Sequence, residues 1–165
     1  MAMTNTSHSG KVRHRHIRFS TIDEVLAEVE RIRQADEEGR LKVSGNWTAG
    51  QILAHLAAWI EYGYSGYPVK TPPFPFNYIL RWMGKRILKN GMRPGVRIPG
   101  VKEGTFGQDA MSTVEGAERL KKAFMRLKNG EPCSHDSPAF GPMSHEDRIR
   151  LNLRHSELHL GFVHY

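Results

Sequence analysis

A chain of 165 residues with a 39% apolar share and one cysteine, Cys133, can bury the core of a single domain, and it excludes both a disulfide scaffold and a cysteine-built zinc site. The net charge of +7 is unevenly spread, since neither residues 1–18 nor the stretch Tyr62–Lys102 holds an acid, and this keeps anionic partners in view. No stretch approaches the ~20 apolar residues of a membrane span, and the polar, basic N-terminus lacks the apolar centre of a signal peptide, so a cytoplasmic protein is expected.

Residues 1–16 read as a flexible basic arm, with His8, His14 and His16 exposed to solvent. Residues 17–165 read as one domain. Thr21 and Glu24 have capping-box spacing, and Ile22, Val25, Leu26, Val29 and Ile32 recur at helical spacing. Charged residues fill the other face, and Gly39 is a natural stop. Thr48 and Gln51 open a second helix, expected to run to about Gly63. Ile52, Leu53, Leu56 and Ile60 form its apolar face, with His55 and Trp59 at the edge.

About 45 less regular residues follow. Pro68, Pro72, Pro73 and Pro75 exclude a helix from the first part. An accessory basic helix is expected over Phe76–Lys89, with Phe76, Ile79, Leu80, Met83 and Ile87 on one side and Arg81, Lys85 and Lys89 in a stripe. Ser112 with Glu115 caps the next main helix, whose buried face is Val114, Ala117, Leu120, Phe124 and Leu127. Ser144 caps the last, which is expected to continue towards the C-terminus. No convincing strand pattern is present. The expectation is all-α: a four-helix bundle with a long crossover that carries the accessory helix.

On a wheel of ~100° per residue, the last helix places Arg150, Arg154, Glu157 and His164 together, on the side expected to face water. Between two apolar flanks runs a narrow polar stripe of Asn152, His155 and His159. Two histidines at i and i+4 on one helix face can bind one metal ion, and zinc, nickel, iron and manganese all accept imidazole. Stacked structural histidines are the plain alternative for an isolated pair. Burial of the stripe favours ligation, and a third ligand is then needed. His55 is the best candidate, with His135 and His145 behind it. Asn152 is a candidate to orient a ligand or bound water, and equally a residue with only a structural hydrogen bond.

The segment Trp47-Thr-Ala-Gly-Gln-Ile-Leu-Ala-His-Leu56 resembles the W-[ST]-x-x-[EQ]-x-x-x-H-[LI] pattern of DinB-like proteins of the DinB/YfiT type, and His155-Ser-Glu-Leu-His159 resembles their closing H-x-x-x-H. The lead-in Gly141-Pro-Met-Ser144, the run Leu153–Phe162 and Asn90-Gly-Met-Arg-Pro-Gly95 are similar to an uncharacterised branch, domain of unknown function 1569. The resemblance implies an up-down-down-up bundle with the crossover between helices two and three. It also implies a divalent-metal site built from His55, His155 and His159.

Relatives of that type include transferases that use a low-molecular-weight thiol, so the resemblance implies a metal-dependent transferase or hydrolase acting on a small molecule. The basic residues of 81–102 are candidates to hold a substrate carboxylate. A metal-binding or stress-response protein without turnover is the alternative, and a homodimer is left open. A nucleic-acid or membrane-surface role for the basic arm and the Phe76–Lys89 helix ranks last, for want of a motif.

Overall fold

Four capped amphipathic helices form the body of the protein, and their caps are those the sequence encodes. The computed structural model describes residues 13–98 and 101–165. Helix α1 spans Ile22–Glu37, α2 Ala49–Ser65, α3 Phe76–Asn90, α4 Thr113–Lys128 and α5 His145–Leu160. Thr48 with Gln51 and Ser112 with Glu115 form reciprocal capping boxes, in which each side chain satisfies a backbone N–H left free by the first helical turn. Thr21 and Ser144 accept from Glu24 and Asp147 N–H in the same manner. The chain leaves α1 through Gly39, whose φ of 68° suits a residue without a Cβ.

The apolar faces of α1, α2, α4 and α5 meet in one core. Val25, Ile32, Leu53, Leu56, Leu120, Phe124, Leu127 and Leu160 are fully buried there. Helix α2 packs most closely on α4, α1 lies against α4 and α5, and α5 closes against α2. Helix α3 belongs to the long connection between α2 and α4 and rests on α5. The architecture is an all-α bundle.

Glycines set the close approach of α2 to the chain entering α4. A Cβ built on Gly50 would lie 2.0 Å from the Met111 carbonyl oxygen, and one on Gly116 would lie 2.9 Å from the Leu53 Cβ. Gly50→Ala should therefore cost about 2 kcal/mol net, because overpacking near ~3 kcal/mol exceeds the ~1 kcal/mol gained in helix propensity. The urea midpoint measures this, and an unchanged midpoint would mean that the 110–112 segment yields freely.

Two expectations about the C-terminal region are corrected. Helix α5 stops at Leu160, and Val163–His164 (β2) pairs antiparallel with Lys42–Val43 (β1), so a small two-stranded sheet exists where none is expected. His164 therefore lies on a strand, outside the helical wheel. Arg154 and Glu157 do not face water either. They are 6% and 7% exposed, because the segment before α1 lies across that side of α5. Glu157 accepts from the Phe19 N–H at 2.7 Å, Arg154 donates to the Phe19 carbonyl at 2.7 Å, and Arg18 reaches Glu157 at 3.2 Å. Only Arg150 of that group is exposed.

Residues 13–16, the described part of the expected arm, make specific contacts. Arg15 N–H donates to the Gly161 carbonyl at 2.7 Å, and its guanidinium pairs with buried Glu28 at 2.6 Å. His14 is half-buried, with Nε2 donating to the Leu158 carbonyl at 2.8 Å, whereas His16 is exposed. His8 lies outside the described residues.

Candidate functional site: a three-histidine cluster

Helix periodicity puts His155 and His159 one above the other on α5, and the packing of α2 on α5 brings His55 opposite them. The three rings form a tight edge-to-face group, with centroids 4.6 to 4.9 Å apart. One ligand-capable atom from each lies within 4.8 Å of the other two. His55 is buried, while His155 and His159 are half-buried. His135 and His145 are exposed and lie outside this group.

A backbone carbonyl fixes the tautomer of His55. Its Nδ1–H donates to the Phe106 carbonyl at 2.7 Å, which leaves the Nε2 lone pair turned inward. That Nε2 accepts from His155 Nε2–H at 3.1 Å. Trp59 Nε1–H donates to the same Phe106 carbonyl at 3.2 Å, so one loop oxygen orients two side chains of α2. The loop comes this close because of Gly107. Its φ is 83°, and a Cβ there would stand 2.5 Å from the Ala58 Cβ. Trp47 completes the wall by stacking on His159, with centroids 5.5 Å apart and planes 12° from parallel.

Burial keeps these imidazoles neutral. It pushes His55 down to about 4, against the opposing effect of the Phe106 hydrogen bond. His155 and His159 are also driven well below their ordinary value, first by burial and then by the neighbouring rings. Neutral imidazole is the form that ligates metals.

The three imidazoles could hold a divalent ion. Two nitrogens that share an ion at ~2.0–2.1 Å stand roughly 2.9–3.4 Å apart for angles between octahedral and tetrahedral. The observed 3.1 Å between His55 and His155 falls in that interval. The His55–Phe106 bond is also the outer hydrogen bond that ligating histidines normally make, which holds the ring in place.

Asn152 does not reach into the cluster as a polar partner. Its side-chain amide donates to the Arg148 carbonyl at 2.9 Å, a bond within its own helix. Lys85 and Lys89 are also turned away from the histidines. They line a cavity of about 580 Å³ with Arg18, Arg150 and Arg154, on the other side of α5. These two lysines are therefore not placed to hold a substrate carboxylate at the cluster. The contributions of Phe106, Gly107 and the stacked Trp47 are absent from the sequence reading. Trp47 stands in the quoted pattern without a role, and a carbonyl has no signature in residue type.

Residues 11–165 match the family described as Protein of unknown function (DUF1569). The chain belongs to this family. No curated protein and no solved structure matches it. The description of DUF1569 names no activity, so the chemistry of this member is argued from its own residues. Among the described residues, no helix is long and apolar enough to cross a membrane.

Proposed function

We propose that His55, His155 and His159 form a divalent-metal site and that this site is the working centre of the protein. The observation that carries the reading is the convergence of three neutral imidazoles whose ligand atoms lie within 4.8 Å of one another, with His55 already oriented by Phe106. The resemblance of Trp47–Leu56 and His155–His159 to DinB-like proteins supports the same assignment. Bound there, a divalent ion supplies a Lewis acid that lowers the pKa of a water or small thiol brought to it.

The chain's own residues would do the rest. Three imidazoles leave positions free on an ion for water or a small molecule. Trp47 and Trp59 flank the rings and exclude water from two sides. A thiol-dependent transferase or a hydrolase follows, depending on whether thiol or water is the nucleophile.

Metal analysis of the purified protein tests the reading. The wild type should carry close to one zinc, nickel, iron or manganese per chain, and the His155→Ala/His159→Ala variant should carry almost none. Added metal should also raise the melting temperature of the wild type alone, since a ligand at 100 times its Kd stabilises by ~2.7 kcal/mol. Equal metal content in the two proteins would remove the site. A screen of the loaded protein for thiol transfer against hydrolysis then separates the two chemistries.

A further inference from the structure

Helix α3 turns a large apolar surface to solvent. Phe76, Tyr78, Ile79, Trp82 and Met83 are all exposed, as is Phe74 just before the helix, with Phe76 at 61% and Trp82 at 64%. Among the described residues, the other exposed large apolar side chains, Val96, Val114 and Tyr165, are scattered. An apolar patch concentrated on one element is unusual on a protein that stays in water alone. The helix is seated by its opposite side. Gly84 is its buried residue, and a Cβ there would stand 2.7 Å from the Phe140 ring, so Phe140 occupies the space a side chain would take. On the wheel, Ile79 and Trp82 lie opposite Gly84, with Phe76 and Met83 on the flank, roughly 80–100° from it.

Charge narrows the choice of partner. Arg81 and Arg86 stand beside this face, whereas Lys85 and Lys89 line the cavity against α5, and no acid occurs from Tyr62 to Lys102. Arg86 lies over the Trp82 ring at 5.7 Å and Arg81 over Tyr78 at 6.0 Å, so cations and aromatics are interleaved. A second copy docking through the same face would set these cations against themselves, because a two-fold interface repeats one patch on both sides. The partner must therefore be anionic, and it must also take up Ile79, Met83 and Phe76. Bases stack on aromatic rings but offer little to aliphatic side chains. A helix with Trp, Phe and Ile beside Arg meets both needs at a lipid interface.

We propose that the outer face of α3 docks on an anionic lipid bilayer, with Trp82 and its apolar neighbours entering the headgroup boundary and the basic residues meeting lipid charge. This surface is independent of the histidine cluster. It would hold the protein at a membrane without spanning it.

Co-sedimentation of the full chain with vesicles tests the proposal. The protein should bind vesicles of equimolar phosphatidylcholine and phosphatidylserine and not those of phosphatidylcholine alone, and added salt should weaken the binding. Arg81→Ala/Arg86→Ala should reduce partitioning roughly 30-fold, at about five-fold per charge. Trp82→Ala/Met83→Ser should reduce it on the order of ten-fold through lost apolar burial. These residues are exposed, so circular dichroism should show both variants folded. No binding to the anionic vesicles, or binding unchanged in both variants, would overturn the proposal. It would also fail if the vesicles are ignored while the same substitutions abolish either a dimer in sedimentation or binding to single-stranded DNA.

Discussion

Glu157→Ala is expected to destabilise the protein by about 3–5 kcal/mol, the cost of leaving a buried charge without its partner. Glu157 and Arg154 are both almost fully buried on α5, with Arg154 Nη1 2.8 Å from Glu157 Oε1. The same carboxylate accepts the Phe19 N–H and meets Arg18. Its removal leaves the Arg154 guanidinium without a counter-charge, held by the Phe19 carbonyl, and strands one backbone donor. Glu157→Gln keeps an acceptor for Phe19 while losing the charge, and should fall between wild type and alanine. Urea unfolding of the three proteins gives the order. A loss below ~1 kcal/mol for alanine would show that water reaches Arg154 once the carboxylate is gone.

The metal-free protein should also lose stability in mild acid, and His55 sets the window. The unfolded chain takes up that proton near 6.5, whereas burial in the folded state delays it to about 4. The contribution is whole above pH 6.5 and disappears as pH falls towards 4, on the order of 3 kcal/mol for this one residue. His155 and His159 act in the same direction. Glu28 behaves differently. Burial pushes its carboxyl up, but the bonds from Arg15, Arg31 and Tyr165 outweigh this and hold it below its ordinary 4.5. Its share is therefore lost only below about 4.5. Melting temperatures of chelator-treated protein between pH 7.5 and 4 should fall, and His55→Asn should flatten the profile. A flat wild-type profile would mean that the rings find proton acceptors on charging.

What could be read in the sequence was local. Thr48 with Gln51 and Ser112 with Glu115 announce helix starts because a cap and its third neighbour interact within one turn. The i, i+4 spacing of His155 and His159 places them on one face for the same reason. What could not be read depends on distant backbone. Arg154 and Glu157 look like surface residues on a wheel, and only the chain at Phe19, more than a hundred residues earlier, turns them into buried ones. The end of α5 was equally hidden. Val163–His164 becomes a strand because Lys42–Val43 is available to pair with it, and a short run of two residues carries no periodicity of its own.

The carbonyl of Phe106 has a practical bearing on how the cluster can be probed. It aims both His55 and Trp59, yet it belongs to the main chain. A conventional alanine scan would pass over it, since Phe106→Ala keeps the oxygen and changes only the ring. The neighbouring glycine is where that loop becomes sensitive, because any side chain at 107 collides with Ala58 and lifts the carbonyl away. The aim of one histidine is thus encoded in the path of a loop, and substitutions at a residue bearing no functional group would report on it best.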